Sequence, residues 1–308
     1  MAGSSRISNA ELSTSSPRPK EAVKPDWSAA QYLKFGNERT RPVYDLVMQI
    51  TPLITNKNPR IYDLGCGPGN STAVLADAFP GARITGMDSS PDMLRKAKAS
   101  FEDRGEDVQF VQGDLEAFGV EEGEGSADLL FSNAVLHWLR SSSRIPTVKR
   151  LLGSLKSGGV FALQVPDNYF ERTHKSMRDV TSLQDKPWSS SFSAAGVGDL
   201  SNPDRPDLDP IETPEIWYRE LIEQCEKVDI WRTEYVHPLK DHRGVVEWVK
   251  STGLKPFLDT IQDDSAQKAF LTEYERVLAE KYESVDVGGA QRRVLLGYPR
   301  LFVVAVKK

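Results

Sequence analysis

The hydrophobic rhythm of the chain changes at Arg60. From there, short apolar runs that end in Gly or Asp alternate with segments of helical period, the pattern of a parallel sheet joined by crossover helices. The runs predict strands over Arg60–Leu64, Arg83–Asp88, Val108–Gln112, Ala127–Ser132 and Gly159–Val165. Two more are expected at Val228–Tyr235 and, directly after Pro299, at Arg300–Val306, where a short apolar segment suits a strand added late to the same sheet. The helix after the second strand carries the clearest start signal. Ser90 can cap it, Pro91 suits the first helical position and Asp92 complements the dipole.

Two regions break this regularity. Residues 167–226 contain a Ser/Gly/Pro/Asp stretch from Ser189 to Pro210 that reads as a loop, then a helix that Thr213 can cap and Pro214 can open, all expected outside the sheet. Residues 241–283 have helical period, with Val245, Trp248, Val249 and Thr252 on one face and Phe270, Tyr274, Val277, Leu278 and Tyr282 on another. Their aromatics read as helix core, not as a cofactor box. Residues 1–25 are rich in Ser, Pro, Lys and Arg and bury too little to offset ordering entropy, so a disordered tail is expected there. Order should begin near Trp27, leaving 26–308 as a single domain whose core is 60–166.

Composition narrows the class. The 39 basic against 44 acidic residues give a net charge of −5 and no long basic run, which argues against a phosphate-backbone binder. Cys66 and Cys225 are the only cysteines, too few for a disulfide framework and too far apart for a zinc site, so a reducing, cytoplasmic setting without a structural metal is expected. No apolar run approaches the roughly 20 residues a membrane span requires. Nothing in the sequence specifies an oligomeric state.

The richest segment is Tyr62-Asp63-Leu64-Gly65-Cys66-Gly67-Pro68-Gly69-Asn70-Ser71, placed between a strand and a helix. Glycines there let the backbone turn tightly and approach a ligand. In the dinucleotide fingerprint the third glycine follows the second by three positions, whereas Gly69 follows Gly67 by two, and Asp63 stands beside the loop. That acid would repel a pyrophosphate and attract an ammonium group. At the end of the second strand, Asp88-Ser89 can hold ribose hydroxyls. After the third, Asp114 can receive an exocyclic amine while Leu115 and its apolar neighbours cover an adenine; after the fourth stands Asn133. Four strand ends on one sheet edge therefore ask for a ligand with an amine, a ribose and an adenine but no phosphate. S-adenosyl-L-methionine (AdoMet) fits that description.

Residues 60–166 resemble a class I methyltransferase, and the resemblance extends outward. Asp26-Trp27, Tyr32-Leu33-Lys34-Phe35, Glu38-Arg39-Thr40-Arg41-Pro42, Asp63–Thr72, Arg83–Asp92 and Pro166-Asp167-Asn168 are similar to the trans-aconitate methyltransferase family. So are Asp229-Ile230-Trp231-Arg232-Thr233, Trp248-Val249-Lys250-Ser251-Thr252-Gly253-Leu254 and Pro299-Arg300-Leu301-Phe302. Departures are the N-terminal tail, the Ser/Pro-rich insertion near 189–210, the acidic turn Glu121–Gly125, and His137. The resemblance implies a doubly wound, mostly parallel seven-stranded sheet. It also implies that 167–226 and 241–297 form a lid over the acceptor site. The cofactor residues are then Tyr32, Arg39, Asp63, Gly65, Gly67, Asn70, Asp88, Ser89, Asp114, Leu115 and Asn133.

The expected reaction is methyl esterification of a small polycarboxylic acid such as trans-aconitate. A carboxyl group with a pKa near 4 is ionised at neutral pH and needs no general base. Non-reacting carboxylates need cations, and Arg suits planar oxyanions. Arg39, Arg41, Arg232 and Arg300 are candidates, with Arg41, Arg300, His137 and Trp138 the first choices at the acceptor. Tyr32, Tyr235 and His174 are further hydrogen-bonding or shielding groups. The alternative is a hydroxyl acceptor on a secondary metabolite, for which His137 would serve as base.

Blander readings stand beside these. Asp114 suits a turn cap, His137 a half-buried imidazole, each arginine a structural charge, and Cys66 a small residue packed under the loop. An AdoMet-sensing binding module leaves the blocks outside 60–166 unexplained. A nicotinamide oxidoreductase is disfavoured by the glycine spacing and the lack of a Tyr-x-x-x-Lys pair. A nucleic-acid methyltransferase is disfavoured because Ser132-Asn133-Ala134-Val135 lacks an Asn/Asp-Pro-Pro-aromatic run.

Overall fold

The structure is a computed structural model that describes residues 35–104, 107–119, 127–289 and 291–308. Tyr32, the tail over 1–25, the start near Trp27 and the Glu121–Gly125 turn lie outside the described residues.

One mixed sheet organises the chain. Its strands are Arg60–Leu64 (β1), Arg83–Asp88 (β2), Val108–Gln112 (β3), Ala127–Asn133 (β4), Leu155–Pro166 (β5), Cys225–Leu239 (β6), Ser284–Asp286 (β7) and Arg292–Lys307 (β8). The order is β3-β2-β1-β4-β5-β8-β6, with β7 paired to β8. β1 runs parallel to β2 and β4, β2 to β3 and β4 to β5, while β8 is antiparallel to β5 and β6. The sheet has eight strands where seven are expected, because the three-residue β7 is too short to show a period inside a helical region.

The last strand also departs from expectation. It begins at Arg292 and passes through Pro299, where the missing N–H costs no ladder bond. The Pro299 carbonyl accepts from Asp167 N–H at 3.0 Å. The proline nitrogen faces that same side, where β5 has just ended at the Pro166–Arg300 pair. β6 and β8 therefore continue together as a two-stranded ribbon, with Tyr235 opposite Tyr298, His237 opposite Leu296 and Leu239 opposite Val294. Because β8 opposes β5, this ribbon extends beyond the C-terminal edge of the parallel strands.

Both faces of the sheet are covered, so neighbouring strand residues are buried on opposite sides. Leu130 and Phe161 join Val148, Leu151 and Trp217 in one cluster; Leu129, Phe131 and Ala162 join Val43, Leu46, Val74 and Leu75 in the other. The helix Pro214–Leu221, no part of the sheet itself, packs on one of its faces. Thr213 stands at its cap position, but its hydroxyl makes no cap bond to the backbone.

A third cluster stands on the ribbon, apart from both sheet faces. Trp248, Val249, Phe270, Tyr274 and Leu278, from helices His242–Lys250 and Asp264–Lys281, meet Leu239, Leu296 and Tyr298. Met177 and Trp188 complete it from the other insertion. Asp241 and Asp263 cap the two helices through Gly244 and Ala266 N–H at 2.8 and 2.7 Å. Ser90 caps Pro91–Phe101 through Met93 N–H at 3.3 Å, as its sequence signal predicts. Among the described residues, no helix is long and apolar enough to cross a membrane.

Candidate active site

The site forms where strand ends are drawn together. Gly65, at φ +74°, lets the loop after β1 press against the loop after β4, since a Cβ there would lie 2.2 Å from Val135 Cγ2. The Gly65 and Cys66 N–H groups both donate to the Met87 carbonyl, at 2.7 and 2.9 Å, tying the loop to β2. Gly67 N–H donates to Asp88 Oδ2 at 2.9 Å and Ser90 N–H to Asp88 Oδ1 at 2.8 Å. The Asp88 carboxylate is thereby fixed in place, with one backbone donor on each oxygen.

Beside this carboxylate opens a cavity of about 600 Å³. Gly65, Gly67, Asp88, Ser89, Asp114, Leu115 and Asn133 line it, as do His137, Trp138, Arg39 and Arg300. The strand order spreads their charges across the site. Asp88, Asp114 and Glu116 follow β2 and β3 on one side; Arg300 stands on β8 at the other, with Arg39 packed near it against Trp248. Asn133 Oδ1 is buried without a hydrogen-bond partner among the described residues. Asp114 also serves its local turn, accepting Glu116 N–H at 2.8 Å.

Five expected site residues lie elsewhere. Asp63 is fully buried beneath the loop, where its Oδ2 accepts the Ser71 and Thr72 hydroxyls at 2.7 Å each. Burial pushes its carboxyl up to about 6 against those two bonds. It braces the loop and does not line the cavity. Asn70 donates to Thr40 Oγ1 at 3.4 Å, toward the helix Gly36–Ile50. Arg41 is 68% exposed beside Asp45, because its position on that helix faces solvent. The Tyr235 hydroxyl is occupied by Asp45 Oδ2 at 2.6 Å. Arg232 pairs with Asp167 at 2.7 Å and is half exposed.

Arg39 reaches the cavity, but its Nη2 donates to the Trp248 carbonyl at 3.0 Å and Ser251 Oγ at 3.3 Å. It therefore joins the helix Gly36–Ile50 to the ribbon cluster while lining the site. Trp248, expected to be core alone, is both core and wall.

The two histidines share one electrostatic setting. His137 occupies a 3₁₀ turn, Leu136–Trp138, with its ring 5.0 Å from that of Trp138. Burial, then the nearby Arg144, Arg300 and His174, hold its imidazole well below the usual range, so it is neutral near pH 7. Burial and Arg178 lower His174 to about 3, and its Nδ1 lies 3.0 Å from Thr173 Oγ1. Neither ring is poised to take a proton. Cys66 is buried and burial raises its thiol, in keeping with a packing role. Among the described residues, no cluster of three His, Cys, Asp or Glu could hold a metal.

The cavity also has walls that the site candidates do not include. Asn168 and Gly253 fall in the family-like blocks, and Tyr298 stands just before one, so a signal was present for them. Arg140 and Leu208 carried none, since loop arginines and leucines are common.

An antiparallel strand set beside β5, a glycine loop after β1 and a fixed acid ending β2 define a class I, AdoMet-dependent methyltransferase. Residues 61–159 match the methyltransferase domain family. The trans-aconitate 2-methyltransferase of Methylobacterium nodulans is 45% identical to this chain over 281 residues, covering 91% of this chain and 98% of its own. That of Agrobacterium fabrum is 42% identical over 282 residues, covering 92% and 99%. Among solved structures, the YcgJ protein of Bacillus subtilis has a TM-score of 0.49 at 13% identity, covering 86% of this chain and 99% of that one. The chain belongs to the trans-aconitate 2-methyltransferase family.

Proposed function

We propose that this protein is a cytoplasmic carboxyl methyltransferase that converts trans-aconitate to a methyl ester with AdoMet. The observation that carries the reading is the division of charge within one cavity: fixed acids on the β2–β3 side, a buried arginine on the β8 side, and two neutral imidazoles.

The acidic side fits the cofactor. Asp88, fixed at the end of β2, is placed to accept ribose hydroxyls. The orphaned Asn133 Oδ1 is an acceptor for the ammonium group. Met93 and Leu115, buried beside Asp114, offer an apolar bed for the adenine. Gly65 and Gly67 leave no side chain where the ligand backbone must approach. When bound, AdoMet supplies an electrophilic methyl group on a cationic sulfur.

The other side fits an anion. Arg300 is buried and can fork onto a non-reacting carboxylate, with the neutral His137 and His174 as hydrogen-bond partners. The ribbon cluster and the segments that carry it act as a cap that excludes water, which favours reaction between opposite charges. Since the acceptor carboxylate is already ionised, no residue has to remove a proton. A hydroxyl acceptor would need one, and an imidazole held well below its ordinary range is a weak base.

The test is incubation of pure protein and AdoMet with mono-, di- and tricarboxylic acids and with phenols, reading products by mass. A gain of one methylene on trans-aconitate is expected. Methylation confined to the phenols would refute the carboxylate reading.

A further inference from the structure

The stretch 193–213 contains neither helix nor strand, yet its middle is not held like a surface loop. Arg205, with a side chain 1% exposed, donates Nη1 to the Asn202 carbonyl at 2.8 Å and Nη2 to Asp209. Its Nε lies 3.6 Å from Asp207, which in turn accepts Gly198 N–H at 3.1 Å. Pro206 and Pro210 restrict the backbone at their own positions and at the residues before them. Arg205 Nε and Asp207 Oδ2 are buried without a hydrogen-bond partner among the described residues, so this pair is held by its mutual charge and by the remaining bonds of the segment.

The same segment is riveted to the turn that carries His137 and Trp138. Arg140 donates Nη1 to the Asp207 carbonyl at 2.7 Å and to Asp209 Oδ1 at 3.1 Å, and Nη2 to the Arg205 carbonyl. Asp209 Oδ2 accepts Ser141 N–H at 2.7 Å. The fully buried Arg144 spans both sides: it donates to Pro210 O and Glu212, and also to the Leu136 and Leu139 carbonyls that flank the turn. This strap, 205–212, and the turn are therefore tied directly to one another.

Between the two buried aspartates stands Leu208. It lines the main cavity, and it also lines a second, about 10 Å³ void that His137, His174 and Gly253 border. An apolar side chain set between two anchored neighbours, beside the groups that face the acceptor, has the placement of a size stop.

We propose that Leu208 sets the largest acceptor the site admits, with Asp209 as the positioning residue that fixes its height. This rests on the reading of the cavity's arginine end as the acceptor site. A branch added to the acid would meet Leu208, while the carboxylates kept their partners.

The test uses the full chain with Leu208→Ala and Leu208→Phe, comparing kcat/KM for trans-aconitate and for the bulkier diacid benzylsuccinate. The benzylsuccinate to trans-aconitate ratio should rise at least about tenfold in Leu208→Ala and fall in Leu208→Phe. Calorimetric affinity for S-adenosylhomocysteine should stay within about twofold. Asp209→Asn should raise the ratio too, through a higher KM for trans-aconitate at nearly unchanged kcat. An unchanged ratio, or one that moves the same way in both Leu208 variants, overturns the size stop alone. Absence of trans-aconitate turnover in the parent chain overturns the acceptor reading and the size stop with it.

Discussion

Gly253 stands where any side chain would strike the His174 imidazole: a Cβ there would lie 2.4 Å from Nε2. Its φ is outside the left-handed region, so the need for glycine is one of space alone. His174 cannot give way freely, being buried with its Nδ1 against Thr173 Oγ1 at 3.0 Å. Gly253→Ala should therefore push the ring into the acceptor end of the cavity. We expect kcat/KM on trans-aconitate to fall about tenfold to hundredfold, the scale of a misplacement near 1 Å, with S-adenosylhomocysteine affinity unchanged. Steady-state kinetics and calorimetry check this. Full retention of kcat/KM would mean that the imidazole does not face the acceptor.

Arg300 and Arg41, equal candidates by sequence, should separate by experiment. Arg300 is 4% exposed and donates Nη1 to Gln164 Oε1 at 2.9 Å, with Cζ 5.3 Å from the Tyr298 ring. Arg300→Lys keeps the charge but loses the planar fork, and KM for trans-aconitate should rise about 10- to 100-fold. Arg41→Ala removes an exposed (i, i+4) pair with Asp45 and should change KM by less than about twofold. Equal effects would reverse the assignment.

Asp88 and Asp63 make a second such pair. Asp88→Ala deletes a carboxylate that lines the cavity and accepts Gly67 and Ser90 N–H, so S-adenosylhomocysteine should bind about 100-fold more weakly. Asp63→Asn keeps an acceptor for Ser71 and Thr72 beneath the loop, and its effect on that Kd should be below about tenfold. Isothermal calorimetry on both variants decides. Comparable losses would bring Asp63 into contact with the ligand.

The contrast between these pairs shows how far the sequence could be read. Strand ends are fixed by period and punctuation, so Gly65, Asp88, Asp114 and Asn133 were legible from local pattern and all line the cavity. Asp63 has the same local pattern but alternates to the buried interior, where two hydroxyls hold it. Arg41 and Arg300 sit in equally telling blocks, yet one faces solvent on a helix while the other is buried on β8. That difference depends on packing between segments some 260 residues apart, and no local period encodes it. The Arg205–Asp209 strap was illegible for another reason. Its composition is that of a loop, and only tertiary contact with Arg140 and Arg144 gives it a fixed shape.

Acid sensitivity follows from the buried titratable groups. The His174 imidazole titrates at about 3 in the folded protein against an ordinary 6.5, so the unfolded chain binds a proton below 6.5 that the folded one refuses. Its contribution to stability is complete above that pH and is lost as pH falls toward the folded value. His237, at about 4, and His137 act in the same direction, each lowered first by burial. Asp63 opposes them: raised from 3.8 to about 6, it keeps a proton that the unfolded chain has released, so its term lowers stability as pH rises through that window. His174→Gln should therefore flatten the pH dependence of unfolding free energy between about pH 4 and 6 by about 1.4 kcal/mol per pH unit. Asp63→Asn should steepen it by a similar amount around the middle of the same range, at about pH 5. Urea unfolding at about pH 4.5, 5.5 and 6.5 measures both slopes. A His174→Gln slope equal to that of the parent would mean that the imidazole takes up its proton in the folded state.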